Sequence, residues 1–272
     1  DVNVLDAERQ RITRLLQNKG YYKFNKDFLV YQADTTRNTY LVDLTLKLLP
    51  YQRKKEDPPQ KHRQYLVNSV NFIADSEMTP IRKGSFTGFD SLSYKGYNMY
   101  YKDKMFLRPK LLVDFNRIRP GEFYSERDVQ NTYSALGRLR MLKYSNIRFK
   151  EVNVSDSTKL DAYIVMSKGQ NKSVSFEIEG TNSAGDLGAA ASISFQHRNV
   201  FKGSETFTMK VRGAYEAITG LGQDYVNDNY TEYGVESSLN FPEFMFPFLS
   251  SDFKRKIKAT SEVGLKFTSQ VR

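Results

Sequence analysis

Apolar and polar side chains alternate at every second position along five stretches between residues 173 and 267, and no other feature limits the possible folds so tightly. The first, SVSFEIE at 173–179, sets Val174, Phe176 and Ile178 against Ser173, Ser175, Glu177 and Glu179. Ala191, Ile193 and Phe195 then alternate with Ser192, Ser194 and Gln196, and Phe207, Met209 and Val211 with Thr206, Thr208, Lys210 and Arg212. Tyr233, Val235, Leu239 and Phe241 face Glu232, Glu236, Ser238 and Asn240; Ile257, Ala259, Val263, Leu265 and Phe267 face Lys256, Lys258, Thr260, Glu262 and Lys266. A β-strand sends successive side chains to opposite faces, so each stretch is expected to be a strand with one apolar and one polar face.

A soluble sandwich alternates in the same way, but its strands run to about five or six residues. These runs last about nine to twelve, the length that crosses a bilayer at a tilt. The connections agree: GTNSAGDLG at 180–188 and the stretch from Glu216 to Asn229 are rich in Gly, Asn and Asp, while RNVFKGSE at 198–205 is tighter. Long loops on one side and tight turns on the other are the pattern of an outer-membrane barrel. FPEFMFPF at 241–248 is longer, and its aromatics and prolines suit a turn at a membrane interface. Five strands do not close a barrel, because an open edge in lipid leaves backbone groups unpaired. Further strands are therefore expected after Arg272.

The region before residue 170 reads differently, with helical patterns between strand pairs. Asp6 is the expected N-cap of a helix carrying Ile12, Leu15 and Leu16 on one face, with Gly20 as its stop. Strands FLVYQAD (28–34) and TYLVDLTLKLL (39–49) follow, joined through a turn from Thr35 to Asn38. The same order returns in a helix capped by Ser125 with Val129, Tyr133 and Leu136 on one face, then strands Ile147 to Val154 and Leu160 to Met166. Leu16 falls on Leu136, Tyr22 on Leu142 and Phe24 on Tyr144 at an offset of 120, and Val42-Asp43-Leu44 on Leu160-Asp161-Ala162 at 118. An internal repeat of a small α+β module accounts for this.

The second copy has in addition a strand at 65–75 and a short helix at 108–118, with Pro109 in its first turn. Its order is thus strand, helix, helix, strand, strand, with an insertion at about 76–105. The expected division is a partial module at 1–51, a charged, proline-bearing linker at 52–64, a complete module at 65–169 and the start of a barrel at 170–272.

A net charge of +10 admits nucleic acid, anionic lipid or acidic polypeptide as partner and does not choose among them. With no cysteine, no disulfide, thiolate metal site or cysteine nucleophile lies within these residues. His62 and His197 have no Asp or Glu at ligand spacing, so no metal site is expected. Glu177 and Glu179 share one strand face and are better explained as lumen lining than as an acid and base pair. The glycines of GTNSAGDLG lack the Lys and Ser or Thr of a phosphate loop. YKGYNMYYKDK at 94–104 interleaves Lys with Tyr as a base-stacking segment does, but reads better as a hairpin that packs or touches a partner protein. No nucleophile, metal cluster or cofactor cradle emerges, so no enzyme activity and no cofactor are expected.

A strand-helix-helix-strand-strand module ending in LDAYIVMSKG, followed by SVSFEIEGTNSAGDLG and HRNVFKGSETF, resembles the outer-membrane assembly factors of the BamA and TamA family, most closely its TamL variant. Lys202 stands where that turn often has glycine. The resemblance implies α+β POTRA repeats followed by the first antiparallel strands of a transmembrane β-barrel, located in the outer membrane of a Gram-negative bacterium with the repeats in the periplasm. It implies partners, too: unfolded outer-membrane or surface polypeptides, outer-membrane lipid and a periplasmic or inner-membrane protein of TamB type, with no nucleic acid. Clients would add as strands to exposed sheet edges. The candidate edges are Phe28 to Asp34, with Phe28, Val30 and Gln32, and Ile147 to Val154, with Ile147, Phe149 and Val152. The candidate seam at the first barrel strand is Val174, Phe176 and Ile178. The rival reading is a soluble multi-module β-rich protein that binds protein or nucleic acid. A detergent requirement for extraction separates the first from the second, which predicts salt-sensitive nucleic-acid binding.

Overall fold

Capping chemistry fixes the first element earlier than expected. In the computed structural model, which describes residues 1–36, 42–52, 58–74, 86, 88–152, 158–183, 186–217, 229–246, 248, 253 and 257–271, helix α1 spans Val2–Gln17 with Asp1 as N-cap. The Asp1 carboxylate accepts the Asn3 N–H at 3.0 Å, so Asp6, the expected cap, lies inside the helix and accepts from Gln10 at 2.8 Å and Lys26 at 3.1 Å. Thr13 is the buried position of this helix, and Leu15 is exposed. Gly20 ends the turn at φ +101°, a left-handed conformation that costs glycine little.

Strand β1 (Leu29–Asp34) pairs antiparallel with β2 (Asp43–Leu48) as a two-stranded sheet, and part of the expected turn, Arg37 and Asn38, lies outside the described residues. The order helix, strand, strand repeats as expected, but the residue alignment does not carry through. Phe24 is buried before β1 begins, whereas Tyr144 is exposed inside its strand; Leu44 is exposed where Ala162 is fully buried.

The second unit comprises β3 (Leu66–Ile73), β4 (Asp90–Tyr94), β5 (Tyr97–Tyr101), α2 (Pro109–Phe115), α3 (Glu126–Leu136), β6 (Leu142–Glu151) and β7 (Lys159–Lys168). Its sheet runs β4-β5-β3-β7-β6, with β3 parallel to both neighbours. The helices close one face over a core that includes Val70, Phe72, Met99, Leu112, Leu136, Leu160, Ile164 and Met166. The insertion therefore has a structural role: its hairpin turns at Lys95 and Gly96, both at positive φ, and extends the sheet beyond β3. Met99 from that hairpin is completely buried, as the packing reading of 94–104 requires. Residues 75–85 and 87 lie outside the described residues.

The Ser125 hydroxyl accepts the Asp128 N–H at 3.3 Å and caps α3 as expected. Ser125→Ala is expected to lower the unfolding free energy by about 1 kcal/mol, read by chemical denaturation. Strand β6 starts at Leu142 rather than Ile147 and stops at Glu151, so Val152 falls just past it; Asn153 and Val154 lie outside the described residues.

The remaining strands, β8 (Lys172–Ser183), β9 (Asp186–Arg198), β10 (Thr206–Ala217), β11 (Asn229–Phe241) and β12 (Ser261–Val271), form one antiparallel sheet in sequence order. It is open at β8 and β12, and the described residues form no closed barrel. Lengths of 11 to 13 residues exceed the usual soluble strand.

Two expectations fail here. GTNSAGDLG is no long loop: Gly180 pairs Ala189, Thr181 pairs Gly188 and Asn182 pairs Leu187, because small residues extend the ladder without obstruction. The strand ends consequently do not sort connections by length: at one end of the sheet β8 stops at Ser183 and β9 starts at Asp186, while β10 stops at Ala217 and β11 starts at Asn229; at the other, β9 stops at Arg198 and β10 starts at Thr206, while β11 stops at Phe241 and β12 starts at Ser261. The last strand begins at Ser261, leaving Ile257 and Ala259 ahead of it. No described helix is long and apolar enough to cross a membrane, which leaves strand crossing untouched.

Candidate functional site

Register aligns the alternating strands into two faces of opposite character. One row reads Phe176, Ile193, Val211, Val235, Phe267, and the next Val174, Phe195, Met209, Ser237, Leu265. This face is bare: Val174 and Phe176 are 66% exposed and Ile178 74%. The opposite face carries Glu177, Glu179, Lys210 and Arg212, with Lys210 Nζ 3.1 Å from Glu177 and Arg212 Nη2 3.0 Å from Glu179. Each carboxylate thus has a cation partner, and Ser192 Oγ donates to Glu177 at 3.2 Å. The pair is a charge-balanced polar surface with neither carboxyl isolated for acid or base work.

Three candidate strand edges occupy different environments. Strand β8 pairs only with β9, so Val174, Phe176 and Ile178 lie on an edge strand of the sheet. Val30 and Gln32 lie in β1, which pairs only with β2, whereas Phe28 sits in a short 3-10 turn (Lys26–Phe28) with its ring against Phe24, Tyr51 and His62. Strand β6 is an edge, and Ile147 and Phe149 point into the module. At Ile147 that edge is already engaged: its N–H donates to the Tyr133 hydroxyl at 2.7 Å, and that hydroxyl lies 3.3 Å from the Ile147 carbonyl. A client strand pairing there has to displace Tyr133. Tyr133→Phe is expected to cost about 1 kcal/mol and to speed exchange of the Ile147 amide several-fold, read by hydrogen exchange.

The linker is tied down where it is described. Tyr51 and Gln60 exchange backbone hydrogen bonds at 2.9 and 3.0 Å, and a ring nitrogen of His62 lies 2.8 Å from the Leu49 carbonyl. The partial module also docks on the complete one. Asn18 Oδ1 accepts the Arg127 N–H at 2.8 Å, and Tyr22 packs on Tyr65, Tyr124 and Phe149. Burial pushes the Tyr22 and Tyr124 phenols up, and the Glu126 carboxylate that accepts the Tyr124 hydroxyl adds to it. Burial opposes the charge of Lys23, yet hydrogen bonds to Glu151 and Tyr65 hold it above the ordinary lysine value.

The most densely bonded site was not among the expected ones. The β9–β10 turn, Asn199 to Glu205, docks against the module. Arg108, the residue before α2, donates its N–H to the Lys202 carbonyl at 2.8 Å, Nε to the Phe201 carbonyl at 2.6 Å and Nη2 to Glu205 Oε1 at 2.9 Å. Glu205 Oε2 accepts the N–H groups of Phe201 (3.1 Å) and Gly203 (2.9 Å), and its side chain is only 5% exposed. Asn199 Nδ2 donates to the Phe106 carbonyl at 2.6 Å, and Met141 N–H to Ser204 Oγ at 3.0 Å. Asn199, Lys202 and Ser204 all have φ near +60°, so lysine at 202 carries a cost of about 1 kcal/mol that these bonds offset. An added Cβ at Gly203 meets Glu205 Oε1 at 2.2 Å, so any larger residue there has to push the Glu205 carboxylate out of its bonds.

Sequence reasoning marked this turn as tight but not its partner, because Arg108 and Glu205 lie 97 residues apart and neither interrupts a periodic pattern. Among the described residues no group of His, Asp or Glu is arranged to hold a metal. The class defined by these features is an α+β module latched to an antiparallel sheet with one bare apolar face.

No family model matches the chain, and no curated protein matches it. Among solved structures it is similar to BamA from Haemophilus ducreyi lacking POTRA domains 1–3, at 12% identity and a TM-score of 0.46, over 98% of this chain and 44% of that one. It is also similar to CdiB from Acinetobacter baumannii, at 9% identity and a TM-score of 0.34, over 97% of this chain and 62% of that one. A third similarity, to POTRA domains 3–5 of Haemophilus influenzae BamA, has 12% identity and a TM-score of 0.23 over 60% of this chain and 80% of that one. The chain spans under half of the first of these structures and under two thirds of the second.

Proposed function

We propose that this chain is part of an outer-membrane factor that inserts or translocates polypeptides, with the α+β modules in the periplasm of a Gram-negative bacterium. The observation that carries the reading is the pairing of faces on the long-stranded sheet. A soluble sandwich covers its apolar face with a second sheet and turns the polar face to water. Here the apolar face is bare, and the polar face is neutralised by cross-strand ion pairs, as suits a lipid-facing and a lumen-facing surface. The motif resemblance to the BamA and TamA family supports the same reading, and within it the TamL type of protein.

Clients in this reading are unfolded outer-membrane or surface polypeptides that add to free strand edges, first on the modules and then along β8. Backbone N–H and C=O groups supply affinity without demanding one client sequence, which fits a factor with many substrates. A TamB-type protein bridging the periplasm is the partner proposed upstream. No chemical step on a substrate and no cofactor is assigned.

The test is the gel mobility of the full-length protein extracted from membranes, boiled and unboiled, together with its membrane fraction. A mobility shift and recovery only in the outer membrane are expected. A freely soluble protein without a shift overturns the reading and leaves a multi-module soluble binding protein.

A further inference from the structure

The junction between module and sheet concentrates positive charge. Four segments, 104–110, 138–144, 166–172 and 198–204, contain ten Lys and Arg and no Asp or Glu, a number equal to the formal net charge of the whole chain. Backbone and side-chain bonds knit these segments together: Asn199 to Phe106, Arg108 to Lys202, Met141 to Ser204, Gly169 to Met141 and Arg198 to Asn171. Lys110, Arg140, Lys143, Lys168, Lys172 and Lys202 are all exposed. Among the described residues, the one carboxylate ion-paired with any of the ten cations is the buried Glu205, on Arg108.

The collar lies at a defined level of the sheet. Lys172 stands opposite His197, which stands opposite Phe207, and that row continues through Leu239 and Val263. Lys172 is thus on the apolar face and heads its first row, where a lysine stem covers apolar surface and carries its ammonium outward. Phe201, 54% exposed at the docked turn, adds an aromatic at the same end. Cations and an aromatic at the rim of an apolar face match the headgroup level of a bilayer.

We infer that this collar binds the phosphates of anionic phospholipid headgroups and so fixes the height and tilt of the module at the membrane surface. The inference rests on the membrane reading proposed above. A nucleic acid is the other polyanion such a surface fits, but a cationic site at the end of an apolar face favours the headgroup.

The experiment is native mass spectrometry of the full-length protein in neutral detergent, offered equal phosphatidylglycerol and phosphatidylcholine. Wild type is expected to retain phosphatidylglycerol at least roughly tenfold over phosphatidylcholine, since each cation near an anionic surface contributes about a fivefold preference. Lys143→Glu, Lys168→Glu and Lys202→Glu together bring the ratio to about one, while the corresponding Lys→Arg triple keeps it. Equal retention of both lipids by wild type overturns the inference, as does an unchanged preference in the Glu triple that still shows the boiled-to-unboiled mobility shift. If the Glu triple does not fold, the salt dependence of the wild-type ratio decides: a preference unaffected by high salt overturns the inference. Wild type lacking the mobility shift removes the membrane reading itself and the inference with it. Salt-sensitive binding of a single-stranded oligonucleotide, lost in the Glu triple and competing with lipid, assigns the collar to nucleic acid and overturns it too.

Discussion

Glu205→Ala releases the β9–β10 turn from the module. The substitution removes the acceptor for the Phe201 and Gly203 N–H groups and strips Arg108 of its carboxylate partner. Glu205 is buried, so nothing replaces these bonds without water entering the junction; two N–H bonds to a charged acceptor put the expected loss at about 3–5 kcal/mol, with the half-exposed Arg108 adding little. Part of that loss is strain no longer offset, because Asn199, Lys202 and Ser204 hold left-handed backbone only while the bonds persist. Amide exchange at Phe201 and Gly203 is expected to rise by about two orders of magnitude while Phe72 and Ile164 in the module core keep their protection. Arg108→Ala leaves the buried Glu205 carboxylate without its counter-charge and is expected to cost a comparable amount, but the Glu205 bonds to Phe201 and Gly203 survive it, so exchange at those two amides rises less. Unchanged exchange in Glu205→Ala shows that the turn does not depend on this carboxylate.

Val211→Arg is the second large effect. Val211 lies on the central strand β10, in the row Phe176, Ile193, Val235 and Phe267. In lipid an arginine there costs about 2–4 kcal/mol, and the folded, heat-modifiable form is expected to fall accordingly in full-length protein. Ser238→Lys on the opposite face is the control and is expected to leave that form intact, because the polar face already accommodates Lys210, Arg212 and Glu236. Equal tolerance of both substitutions places water on both faces and sinks the lipid assignment.

Much of this arrangement was legible in residue pattern. Period-two alternation found each of the last strands and put Val174, Phe176 and Ile178 on one face, because registry in a sheet follows local periodicity. Ser125, Val129 and Leu136 located α3 for the same kind of reason, a cap and a helical spacing. Strand ends were less legible: glycines and asparagines in 180–188 read as loop, yet a neighbouring strand can pair their backbones as readily as any other. Asp1 and Asp6 are chemically equivalent caps, and it is the Asn3 N–H on Asp1, with Asp6 turned to Lys26, that shows which one caps the helix. The insertion, the hydroxyl of Tyr133 over Ile147 and the Arg108–Glu205 contact come from pairs distant in sequence. No periodic signal encodes those.

Only Gly169, Gln170 and Asn171, plus the first residues of the flanking strands, join β7 to β8 through the chain itself, and Gly169 is held by its N–H on the Met141 carbonyl at 2.7 Å. The docked turn is a second anchorage. A body tethered at one point swivels freely, but one tethered at two rotates only about the line between them, so the module is a crank and not a pendulum. On the function proposed above, a pull on a client strand at a module edge is converted into torque across β8, β9 and β10. The first strand takes that torque with a neighbour on one side only.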